Sequence, residues 1–135
     1  MRRGHCHRHG YGQPCTCSMG NLYRFVEPLA LYLLKERGQT HGYDLMGALK
    51  KQALTDSTIE PGALYRTLRR LEEAGFVSST WDVGGSGPAR RVYELTADGE
   101  THLREWITVL DHLAGSINGF VIEARELIEE LGFGG

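Results

Sequence analysis

Pro61-Gly62-Ala63-Leu64-Tyr65-Arg66-Thr67-Leu68-Arg69-Arg70-Leu71-Glu72-Glu73-Ala74-Gly75-Phe76-Val77 is the stretch that decides the fold. Proline lacks a backbone N–H and holds a helical φ, so Pro61 suits a first helical position. Leu64, Leu68 and Leu71 recur at i, i+4 and i+7 and share one face. Arg66, Arg69 and Arg70 fall on the other face. Gly75 is placed to end the helix. Such a helix packs its leucines on a body and presents cations outward.

Two more helices are expected before it. Between Leu22 and Arg37, Phe25, Val26, Leu29, Ala30, Leu33 and Leu34 follow helical spacing with one wide buried face, and Gly38 is placed to stop it. A shorter helix is expected from about Gly42 to Gln52, with Leu45, Met46 and Leu49 on one side.

A β-hairpin is expected after it. Val77, Ser79, Trp81 and Val83 alternate, as do Arg91, Tyr93 and Leu95. Gly84-Gly85-Ser86-Gly87-Pro88 reads as a long, mobile loop between them. Thr96 is the expected N-cap of a last helix, with Asp98 and Glu100 in its first turn.

In that last helix Leu103, Ile107, Leu110, Ala114, Ile117, Val121, Ala124, Ile128 and Leu131 are spaced alternately by four and three, a heptad seam. Gly115 and Gly119 weaken the helix locally. A helix of about 30 residues spans about 45 Å, more than a three-helix domain covers, so a second copy is expected along the seam. The fold class that follows is mainly α with a β-hairpin wing. Residues 1–20 form a His/Cys-rich arm, 21–96 a winged helix-turn-helix domain and 97–135 a C-terminal dimerisation helix.

The chain has 135 residues, with 41% hydrophobic and 24% charged side chains, which suits one soluble domain with appendages. No apolar run is long enough to cross a membrane, and no signal-peptide core stands at the N-terminus, so a cytoplasmic protein is expected. The formal net charge of −2 looks unsuited to nucleic acid. Its distribution corrects this. Residues 1–97 carry 13 Lys/Arg against 9 Asp/Glu, a net +4, and residues 98–135 carry 2 against 8, a net −6. DNA responds to the local field, so the basic body is compatible with double-stranded DNA.

The order helix, helix, helix, hairpin is that of a domain whose third helix enters the major groove. Arg66 or Arg69 would read base edges there, while Arg90 and Arg91 on the wing would lie along the backbone or in the minor groove. No phosphate-binding glycine loop, nucleophile elbow or carboxylate pair points to an enzyme. A winged helix used only for protein–protein contact, or a metal-binding sensor without operator contact, is the rival function.

The Pro61–Val77 stretch resembles the signature of PadR-family transcriptional regulators. So do Glu27-Pro28-Leu29 with His41-Gly42-Tyr43-Asp44-Leu45, and Gly87-Pro88-Ala89-Arg90-Arg91-Val92-Tyr93-Glu94-Leu95-Thr96-Ala97-Asp98-Gly99. The resemblance implies a dimeric winged-helix repressor on a palindromic operator. It implies DNA contacts at Pro61, Gly62, Ala63, Tyr65, Arg66, Arg69 and Arg70, and backbone contacts at Tyr43, Arg90 and Arg91. It also implies a structural hydrogen bond for His41 and a single long C-terminal helix at the dimer interface, here through Leu103, Ile107, Leu110, Ile117, Val121 and Ile128. One departure is Glu60, where the family often has a small capping residue. A carboxylate suits a helix N-terminus but repels a phosphate.

In some relatives an aromatic residue of the C-terminal helix lines a pocket for flat hydrophobic effectors. Trp106 stands about one turn from that place, and packing at the seam is the competing role. The N-terminal arm is unusual for the family. Cys6, His7, His9, Cys15 and Cys17 concentrate soft ligands that suit zinc or another transition metal, without a standard finger spacing. Competing readings are a disordered arm with Arg2, Arg3 and Arg8 on phosphates, a redox-active Cys15/Cys17 pair, and a true start at Met19.

Overall fold

A computed structural model of the chain describes residues 25–52 and 59–131. Helix α1, Val26–Arg37, buries Val26, Pro28, Leu29, Ala30, Leu31, Leu33 and Leu34, so it is apolar around most of its circumference. It is the central element and touches α2 (Gly42–Gln52), α3 (Pro61–Glu73) and the strand β3 (Arg90–Leu95). Gly38 ends α1 at φ 76°, with its N–H donating to the Leu34 carbonyl at 2.9 Å.

Strand β1 is only Thr40–His41 and lies on the far side of β3 from β2 (Val77–Asp82), giving the antiparallel order β1-β3-β2. Sequence reading expects a two-stranded wing and misses β1, because two residues show no alternation. Thr40 pairs with Tyr93 and His41 with Val92. The hairpin pairs Val77 with Leu95, Ser79 with Tyr93 and Trp81 with Arg91. That face packs toward the helices, with Val77 and Tyr93 buried.

The expected end of α3 forms as a full C-cap. Gly75 is at φ 86°, its N–H donates to the Glu72 carbonyl at 3.0 Å, and the Phe76 N–H donates to the Leu71 carbonyl at 2.9 Å. Thr96 caps α4 (Ala97–Glu130) as expected. Its hydroxyl accepts from the Gly99 N–H at 3.0 Å and donates to the Gly75 carbonyl at 2.7 Å. A Cβ on Gly99 would lie 2.0 Å from the Phe76 carbonyl oxygen, a backbone atom that already accepts from the Thr96 N–H. Gly99→Ala is therefore expected to lower unfolding stability by about 2–4 kcal/mol, measured by urea denaturation. A loss below about 0.5 kcal/mol, the level of a neutral surface change, would refute the close packing.

The chain divides into two compact units, the first through Leu103 and the second from Arg104 onward. The first turns of α4 thus belong to the winged-helix body. This corrects one seam position: Leu103 is buried within the first unit at 7% exposure. The apolar row available to a second copy begins beyond it.

Helix α4 continues through Gly115 and Gly119 and, at 34 residues, is about 50 Å long. In the second unit Ile107, Leu113, Ile117, Phe120, Leu127, Ile128 and Leu131 are exposed, and Leu110 and Val121 are half-buried. Among the described residues no helix is long and apolar enough to cross a membrane.

Candidate nucleic-acid interface

Helix α3 divides its side chains cleanly. Leu64, Thr67, Leu68 and Leu71 are buried, and Pro61, Gly62, Arg66 and Arg69 are exposed. Ala63 is half-buried. Arg66 and Arg69 join no ion pair recorded among the described residues, so both guanidinium groups are available to a ligand. Arg66 folds back along the first turn, and a Cβ on Gly62 would stand 3.0 Å from its Nη1. Gly62 thus leaves room both for that guanidinium and for close approach of a ligand to the helix start. Glu60 precedes Pro61 in extended conformation and its side chain caps nothing.

Tyr65 and Tyr43 flank this face. The Tyr65 ring lies against Gly42, where a Cβ would meet its Cε1 at 2.9 Å and its hydroxyl at 3.0 Å. This contact seats the ring on the first turn of α2. Tyr43, next to Gly42, is 84% exposed. The structure therefore assembles Tyr43, Tyr65, Gly62 and Arg66 around two adjoining helix starts.

The other three arginines point elsewhere. Arg70 donates through Nη2 to Glu27 Oε1 at 3.3 Å, and Glu27 Oε2 lies 2.8 Å from Nε2 of His102. The His102 ring stacks on Phe76, with centroids 4.1 Å apart. Glu27 thus joins α1 to α3 and α4. Arg91 lies on the helix-facing side of the wing, where Nε donates to Ser79 Oγ at 3.0 Å and Nη2 to Glu72 Oε1 at 3.4 Å. Arg90 is on the opposite side of the wing, in register with Asp82. Arg66 and Arg69 therefore present charge freely, whereas Arg70 and Arg91 hold the body together.

The wing is tied at its tip. Asp82 accepts from the Gly84 N–H at 3.1 Å and faces His41 Nε2 at 3.1 Å, with Asp44 3.8 Å from His41 Nδ1. The Gly84 N–H chiefly, then His41 and Arg90, hold the Asp82 carboxyl below its usual range. His41 thus has the structural partner that the sequence expects of it. Burial chiefly pushes the Tyr93 phenol up, with Glu72 and Tyr65 adding to this and Arg91 and Arg69 opposing it.

Sequence reading misses Glu27, Glu72 and Asp82 as organisers of this face. The only signal in the sequence is the opposite charge of their partners. The arm with Cys6, His7, His9, Cys15 and Cys17 lies outside the described residues. Among the described residues no three His, Cys, Asp or Glu side chains cluster as a metal site.

Residues 30–105 match the Transcriptional regulator PadR-like family. The chain is 43% identical over 61 residues to the transcriptional regulator Rv3488 of Mycobacterium tuberculosis, covering 45% of this chain and 56% of that protein. It is 24% identical over 78 residues to the negative transcriptional regulator PadR of Bacillus subtilis, covering 58% and 43%. The chain thus spans about half the length of these curated relatives. Its fold matches the crystal structure of a PadR-family transcriptional regulator from Eggerthella lenta with a TM-score of 0.58 and 32% identity, over 69% of this chain and 80% of that one.

Proposed function

Because this chain belongs to the PadR-like family of transcriptional regulators, we propose that it acts as a dimeric, DNA-binding repressor on a palindromic operator in the cytoplasm. The observation that carries this is the exposed face of α3, where Arg66 and Arg69 stand without an ion partner among the described residues, beside the small residues Gly62 and Ala63. A helix start with little side-chain bulk can enter the major groove, and free guanidinium groups suit guanine edges and phosphates. The exposed apolar row of α4 supports a second copy, and a two-fold dimer reads an inverted repeat. The negative regulator from Bacillus subtilis favours repression over activation.

Electrophoretic mobility shift with a duplex from the gene's own upstream region tests DNA binding. Log affinity should fall linearly with log salt, losing about 10³–10⁵ in affinity between 50 and 200 mM if roughly 6–10 phosphates are contacted. No shift at low salt would favour a winged helix devoted to protein contact.

Release from the operator has two candidate triggers. One is a small hydrophobic effector against Trp106, which is half-buried on α4. The other is the His/Cys arm, for which a zinc or related site is proposed on ligand chemistry alone. Untagged protein purified under reducing conditions should then carry about one equivalent of transition metal by elemental analysis. Protein that neither holds nor takes up metal would end that proposal and leave redox or DNA contact as the arm's role.

A further inference from the structure

Trp81 is paired with Arg91 in the hairpin but lies outside the hydrophobic core. It continues the helix-facing row of β2, in which Val77 is 2% exposed and Ser79 Oγ donates to Glu72 Oε2 at 2.6 Å. Two residues further along, that row runs past the body and leaves the Trp81 indole 60% exposed. Val83 follows it at 75% exposure. The ring is nevertheless held. Arg91, opposite it in register, lies 5.3 Å from the ring centroid, and its guanidinium is itself fixed by Ser79 and Glu72. A large aromatic surface is thus pre-positioned in solvent, with little freedom left to lose on binding.

We propose that Trp81 is a DNA-contacting residue: its indole packs on the deoxyribose-phosphate backbone beside the groove entered by α3, while Arg91 orients the ring. One observation favours DNA as the occupant. Glu72, which anchors Arg91, lies one turn along α3 from Arg69, and Arg91, Glu72 and Arg69 all act on the Tyr93 phenol, so the group that holds the indole stands beside the part of α3 that presents Arg69. With Arg91 matched by Glu72 and Arg90 in register with Asp82, the wing would meet DNA by packing more than by charge. What remains is an apolar plane with one N–H donor, which fits a sugar face and a phosphate oxygen.

The inference rests on the DNA-binding function proposed above, and the test separates the two. The chain has two tryptophans, Trp81 and Trp106. The full-length protein labelled with 5-fluorotryptophan gives one fluorine resonance for each, and Trp81→Phe assigns them. The protein is titrated with a fluorescein-labelled duplex from its own upstream region, with anisotropy followed in parallel. The Trp81 resonance should shift and lose its sensitivity to exchange of H2O for D2O.

Trp81→Ala should weaken binding about tenfold with an unchanged salt slope, and Trp81→Tyr should recover most of the loss. Rising anisotropy with an unmoved Trp81 resonance would overturn the proposal and leave DNA binding intact, pointing to a protein partner for the indole. A Trp81→Ala variant with a shallower salt slope would mark collapse of the wing, and it too would overturn the contact. No rise in anisotropy would overturn both. If the alanine variant does not fold, the resonance of the parent protein decides alone.

Discussion

Replacing Arg66 and Arg69 together by alanine is expected to weaken binding to the proposed operator by about a hundredfold or more, at about 1–3 kcal/mol for each base-edge pair lost, while leaving the proposed dimer intact. Both side chains are exposed on α3, and neither is used in an ion pair recorded among the described residues. Their removal therefore costs the fold little. Each lost phosphate contact should also lower the salt slope by about 0.9. Arg70→Ala is the contrast. Its guanidinium is engaged by Glu27, so it should change stability more than affinity. Fluorescence anisotropy at several salt concentrations, with sedimentation velocity as the control, measures these quantities. Unchanged affinity in the double variant would remove α3 as the reading helix. Lysine at either position should not restore base discrimination, because it lacks the planar fork of donors that arginine places on a guanine edge.

The contrast between Arg66 and Arg70 shows where the sequence stops informing. Helical spacing puts Arg66, Arg69 and Arg70 on the side away from Leu64, Leu68 and Leu71, and that is where the structure has them. Spacing carries no information about Glu27, which arrives from another helix and, of these three arginines, pairs with Arg70. The wing repeats the point in strand geometry. Alternation shows that Arg90 and Arg91 face opposite ways, but a one-residue change of register exchanges their faces. Only the observed pairing of Trp81 with Arg91 turns Arg91 toward Glu72. Helix α1, the Gly75 and Thr96 caps and the hairpin were legible because each has a local cause: burial pattern, left-handed glycine, hydroxyl cap or alternation. Strand β1 lacks such a cause, and Leu103 differs from the rest of its row only in lying within the body.

The row beyond Leu103 is also wider than the two-column heptad seam of alternating four- and three-residue steps, and this governs the second large effect. Leu110, Ile117, Ala124 and Leu131 form its middle column, with Ile107, Ala114, Val121 and Ile128 on one side. Trp106, Leu113, Phe120 and Leu127 recur every seven residues on the other. A two-stranded coiled coil needs only two such columns, so three columns suit a broader partner surface. Ile117 lies at the centre and is 54% exposed in the single chain, whose folding therefore does not depend on it. Ile117→Asp should leave the circular-dichroism spectrum unchanged, apart from the roughly half-kcal/mol helix-propensity loss of aspartate. In a two-fold dimer every substitution counts twice, so two unpaired carboxylates would be buried where two side chains meet. At several kcal/mol for each buried charge, the proposed dimer should dissociate at micromolar concentration, and affinity for the proposed operator should fall with it because each monomer would reach only one half-site. Sedimentation equilibrium that still reports a dimer for Ile117→Asp would show that α4 is covered by something other than a second copy along this row.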